Sequence, residues 1–125
     1  MRCEVKLTTT VDGKKTRVVH GGDLQISESR ACVTYTEENA VVSIEVKGKT
    51  ITLIREGDYS LRLTLEKGKT LDGVLALGDN EGIIQVKTQR VGYKLTKNTL
   101  VLELKYTLLI GEAQEMQLKI EAKGE

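Results

Sequence analysis

The sequence predicts an all-β fold, a closed antiparallel up-and-down barrel of about 8–10 strands, the size that just fills its interior or holds one small ligand. Three observations predict it. Apolar and polar residues alternate with period two along almost the whole chain, which writes strands with one dry and one wet face. Short turns bearing Gly or Asn separate the runs, so consecutive strands are antiparallel neighbours. No helical segment is on hand to cover the dry face, so the sheet closes on itself or packs as a sandwich, and closure also removes edge strands.

Each element follows from its pattern. Residues 2–11 form the first strand, with Cys3, Val5, Leu7, Thr9 and Val11 facing one way. Asp12-Gly13 is a two-residue type I′ turn, which needs φ > 0 at both positions. The second strand, 14–27, carries Val18, His20, Gly22, Leu24 and Ile26 in phase, and Gly21-Gly22 predicts a bulge or bend at a barrel corner. The third, 30–37, aligns Ala31, Val33, Tyr35 and Glu37; after Glu38-Asn39 the fourth, 41–47, aligns Val42, Ile44 and Val46. Gly48-Lys49 leads to Ile51, Leu53 and Arg55 on one face of the fifth, and Gly57-Asp58 leads to a sixth with Leu61, Leu63 and Leu65. Lys67-Gly68 precedes a seventh with Leu71, Gly73, Leu75 and Leu77; residues 79–82 turn into an eighth with Ile84, Val86 and Thr88. Residues 92–98 read as a loose connection. The ninth run holds Leu100 to Ile110 in strict register. Residues 112–123 are rich in helix formers, but period two captures more of their apolar positions, so they read as the tenth strand.

The chain of 125 residues is a single domain, 1–125, long enough to bury a core. Its 19 basic and 18 acidic residues leave a net charge of +1, no global field for nucleic acid or membrane. With no Phe and no Trp, the interior must be filled by Leu, Ile, Val and Tyr. Cys3 and Cys32 differ in phase, so two free thiols are expected. No apolar leader and no long apolar run are seen, so the expectation is a cytoplasmic protein in a reducing compartment.

Gly21-Gly22, Tyr35-x-Glu37, Ile54-Arg55-x-Gly57 and Leu104-x-Tyr106-x-Leu108-x-x-Gly111 occur in that order, with the Thr88 strand before the last. This ordered set resembles the YwiB-like family of uncharacterised bacterial proteins over nearly the whole chain. The resemblance implies a calycin-type β-barrel, lipocalin-like in shape, a bacterial cytoplasmic home, and no established biochemical function. Val74-Leu75-Ala76-Leu77 departs from the aromatic residues that often stand there in the family. The chain also lacks the Gly-x-Trp signature of lipocalins, and Asp12-Gly13 leaves no room for the two-helix lid of fatty-acid-binding proteins. Ligand chemistry therefore does not carry over by motif.

Arg55 is the strongest oddity, because it shares parity with Ile51 and Leu53, and Glu37 stands likewise to Val33 and Tyr35. A guanidinium on the apolar face needs a partner. One reading has it bind a ligand carboxylate or phosphate, with Tyr35, Tyr106, Thr88 or His20 as hydrogen-bond partners. The preferred reading pairs it with Glu37 as a structural plug at a barrel end. His20 lacks the nucleophile and carboxylate of a catalytic arrangement, and no metal-ligand spacing exists; Asp79-Asn80-Glu81-Gly82 is a turn, not a calcium loop. Lys87, Arg90, Lys94, Lys97 and Lys105, opposed by Glu103 and accompanied by Tyr93, form the best electrostatic patch, read as a solvated face in preference to a nucleic-acid site.

The expectation is thus a non-enzymatic binding module, without cofactor or metal, for a small, partly apolar, anionic or amphipathic ligand lined by Arg55, Glu37, Tyr35, Tyr106, Thr88 and His20. The alternative is a filled structural or protein-interaction barrel, for which a second copy of the chain is an admissible partner. Membrane is excluded as a partner and nucleic acid is not favoured. An interior cavity reaching Arg55 would distinguish the two.

Overall fold

The computed structural model describes Met1–Glu125 and consists of ten strands: β1 (Arg2–Val11), β2 (Lys14–Ser27), β3 (Arg30–Glu37), β4 (Ala40–Lys47), β5 (Thr50–Gly57), β6 (Ser60–Glu66), β7 (Thr70–Leu77), β8 (Asn80–Leu95), β9 (Thr99–Ile110) and β10 (Glu112–Gly124). Each pairs antiparallel with the next, and β1 pairs with β10, so the meander closes into a barrel. The helix-forming residues of 112–123 are a strand, because their partners on β9 and β1 require period two. Asp12 and Gly13 have φ of 47° and 85°, as the tight β1–β2 turn demands.

The dry face forms one contiguous core of 24 buried residues, almost all Leu, Ile, Val and Ala, with Cys3, Tyr35 and Tyr106. Both thiols are free; Cys3 is in this core, and burial pushes its pKa up. No helix is long and apolar enough to cross a membrane.

Two details differ from the sequence pattern. The register of β2 runs unbroken through Gly21 and Gly22, with no bulge. Gly22 instead permits close approach: a Cβ there would meet the Thr34 carbonyl oxygen at 2.6 Å. The register shift lies on β8, between Thr88 and Arg90. The extra residue, Gln89, flips the parity, so Ile84, Val86 and Thr88 face inward before it, and Val91, Tyr93 and Leu95 after it. That flip erases the alternation across the shift and made the end of β8 look like a loop. The β6–β7 turn braces the shift, because Gly68 N–H donates to the Thr88 carbonyl at 2.9 Å and Thr88 N–H to the Lys69 carbonyl at 3.0 Å.

The barrel has two unlike ends. At one, the Tyr93 hydroxyl donates to the Gly48 carbonyl at 2.9 Å, and the Met1 ammonium donates to the Leu24 carbonyl at 2.9 Å. The termini lie at this end and tie it down further, with Glu125 N–H on the Arg2 carbonyl at 3.0 Å. At the other end the long β1–β2, β7–β8 and β9–β10 hairpins leave inward-facing apolar residues uncovered. Val18, Leu77 and Ile110 share the phase of the core yet are 42%, 56% and 46% exposed.

Candidate functional site

The open end gathers most of the polar side chains that point inward. Tyr35 on β3 and Tyr106 on β9 reach into the barrel from well-separated strands, with rings buried. Burial pushes the Tyr106 hydroxyl up to about 12. It raises Tyr35 further still, helped by the nearby Glu37 carboxylate and by Tyr106 itself. Neither hydroxyl is held by a hydrogen bond within the chain. His20 on β2 stacks on Tyr35, ring centroids 5.3 Å apart and planes 18° apart, rather than bonding a carboxylate.

Thr88 faces Tyr106 across the β8–β9 ladder. It is 2% exposed, and its Oγ1 is a sealed side-chain oxygen with no hydrogen-bond partner. Its backbone is fully engaged by the β6–β7 turn, so the hydroxyl alone is orphaned. A buried hydroxyl without a partner costs roughly 1–3 kcal/mol.

Arg55 is inward-facing and at the rim, opposite Val42 and Leu61 in the ladder. Its guanidinium is held within the chain. Nη2 donates to Asp58 Oδ1 at 2.8 Å, and Nη1 donates to the Tyr59 carbonyl at 2.7 Å. Nε lies 3.9 Å from Glu37 Oε2, and the guanidinium carbon is 3.7 Å from the centroid of the Tyr59 ring. The hydrogen bond to Asp58 is the main cause that raises Arg55 and lowers Asp58 from their ordinary pKa values. The plug expected between Arg55 and Glu37 is therefore present but shared, and its closer carboxylate is Asp58. Two carboxylates face one guanidinium, so the local charge is −1 and an anion gains no free cation there. The guanidinium that the sequence offered to an anion is thus engaged by partners within the chain.

Sequence reasoning missed Asp58 and Tyr59 as partners of Arg55, although a carboxylate three residues from an arginine was the available signal. It also put Tyr93 on the basic face. The shift at Gln89 turns its ring inward, 39% exposed, at the sealed end.

The main surface recesses, of about 230 to 660 Å³, lie on the outer wall or the sealed rim, and Arg55 lines none of them. The interior beyond the open end is occupied by the core cluster.

These features define a class: closed antiparallel up-and-down barrels, consistent with a calycin-like fold, sealed at one end and polar at the mouth of the other. More particularly, the chain belongs to the family described as Domain of unknown function (DUF1934), whose model matches residues 3–121. The crystal structure of the ywiB protein from Bacillus subtilis is similar to it, with a TM-score of 0.85 at 13% identity, over 99% of this chain and 92% of that one. The resemblance seen in the ordered motifs is thereby established at the level of family and fold. No curated protein matches the chain.

Proposed function

We propose that the chain is a non-enzymatic binding module that seats a small, partly apolar ligand on the open end of the barrel rather than inside a hollow lumen. The observation that carries this is the pair of phenols at that end, Tyr35 and Tyr106, whose hydroxyls have no partner in the chain; the orphaned, 2%-exposed hydroxyl of Thr88 faces Tyr106 across the ladder, beside the β6–β7 turn. Natural proteins rarely leave a buried hydroxyl unmatched, as that of Thr88 is here. The exposed faces of Val18, Leu77 and Ile110 supply apolar walls for such a ligand. The two phenols supply donors for a carbonyl or similar polar head. Because Glu37 and Asp58 outnumber Arg55, a neutral head suits the mouth better than an anionic one.

The filled core favours a second reading, a structural or protein-interaction barrel. A pair of amphipathic fluorescent probes separates the readings, one with an amide head and one with a carboxylate. The binding module takes up the amide probe saturably and more tightly, and Tyr35→Phe with Tyr106→Phe weakens it while circular dichroism stays unchanged. No saturable uptake, or equal uptake by the variant, favours the interaction barrel.

A further inference from the structure

The outer wall carries a second feature, on the face of the sheet opposite the core. Three consecutive ladder rows cross β2, β1, β10, β9 and β8 in register. They read Val19–Lys6–Glu121–Val101–Lys94, then Arg17–Thr8–Lys119–Glu103–Gly92, then Lys15–Thr10–Gln117–Lys105–Arg90. These fifteen positions hold seven cations and two carboxylates, a net charge of +5. The rest of the chain holds the remaining twelve basic and sixteen acidic residues, a net charge of −4. A molecule that is nearly neutral as a whole is therefore strongly polarised, and such a field steers a polyanion to one side.

The carboxylates do not neutralise the face. Glu103 lies 3.7 Å from Arg90 and 4.0 Å from Lys119, and Glu121 lies 3.4 Å from Lys119. Lys15, Arg17, Lys94 and Lys105 have no carboxylate within 4 Å. Between the cations stand Thr8, Thr10 and Gln117, whose hydroxyls and amide also donate to phosphate oxygens. All three, with Lys15, Arg90, Lys105 and Lys119, line a shallow recess of about 230 Å³.

We propose that this face docks the phosphate backbone of a nucleic-acid duplex. Five strands at a spacing of about 4.8 Å make it roughly 19 Å wide. A duplex carries one charge per about 1.7 Å of axis, so several phosphates meet it. Three rows of the wall hold no aromatic side chain, which disfavours single strands, whose binding rests on stacked bases. Val19 and Val101 are its only large apolar residues, too few for the apolar and aromatic anchors of a protein interface.

The test is fluorescence polarisation of a short labelled duplex against the full chain at salt from about 50 to 200 mM, the range over which phosphate contacts are lost. The face predicts binding whose log K falls with log salt at a slope of about −3 to −4 for four phosphate contacts. Arg17→Glu with Lys105→Glu, both exposed, weakens it about tenfold or more and flattens the slope by roughly two. Lys47→Glu with Lys67→Glu, the same charge change elsewhere, leaves it nearly unchanged. The proposal is overturned by no binding at the lowest salt, by equal weakening in the control, or by equal competition from poly-glutamate or unlabelled single strand.

Discussion

Arg55 reaches Asp58, three residues on, at 2.8 Å, and stands 3.9 Å from Glu37, the carboxylate with which it shares the inner face. The guanidinium thus serves as a clasp over the β5–β6 turn, with the Tyr59 ring beneath it. Its charge is used in holding the rim together.

The clasp makes an acid signature. The Arg55 hydrogen bond holds Asp58 below the usual carboxylate range, so its contribution is full above the ordinary aspartate pKa and is lost as pH falls through the lowered value. Thermal melts through the acid range show a decline for the wild type that Asp58→Asn reduces. Equal acid profiles for the two proteins would remove the clasp from the account.

Close approach at Gly22 gives a sharper contrast. Gly22→Ala forces a Cβ to within 2.6 Å of the Thr34 carbonyl oxygen and 3.0 Å of Val5 Cγ2, at a cost of about 1–3 kcal/mol. Gly21→Ala meets nothing within 4 Å and changes stability little. Urea denaturation of both variants reads the difference directly.

Thr88→Val replaces the orphan hydroxyl with a methyl group of similar shape. The variant gains about 1 kcal/mol in chemical denaturation, because no hydrogen bond is lost and a desolvated oxygen is removed. It also loses affinity for the amide probe. A gain in stability with a loss in binding is the pattern of a residue kept for function; a loss of stability would show that the hydroxyl has a partner after all.

Tyr106 titrates late. With its pKa raised to about 12 against about 10 in the unfolded chain, it stabilises the fold below pH 10, and that contribution is lost as pH rises to 12. The ultraviolet tyrosinate signal of the wild type therefore includes a high-pH step that is missing in Tyr106→Phe.

Most of the barrel was legible because its strands obey one rule. Inner-face Ile44, Leu63 and Leu65 alternate with polar residues, and the Asp12-Gly13 and Asn39 turns announce where the chain reverses. The end of β8 was not legible, since one inserted residue, Gln89, shifts the phase and no local residue type marks it. The candidate site was legible in part. Parity alone brought Tyr35, Glu37, Arg55 and Tyr106 to the inner face. Parity says nothing about height along the barrel or about partners in turns, so the sharing of Arg55 with Asp58 was not. The basic wall was half seen. Lys94, Arg90 and Lys105 lie close in sequence, whereas Lys15, Arg17 and Lys119 join them only through closure of β1 onto β10.

The central claim is that the open mouth, with its unmatched hydroxyls, holds a small molecule. Native mass spectrometry of the chain purified from its own host tests it most directly, on the wild type and on Tyr35→Phe with Tyr106→Phe. The expected spectrum shows the wild type carrying a discrete added mass that is absent from the variant. A wild type at its bare chain mass, or the same adduct on both proteins, would contradict the claim.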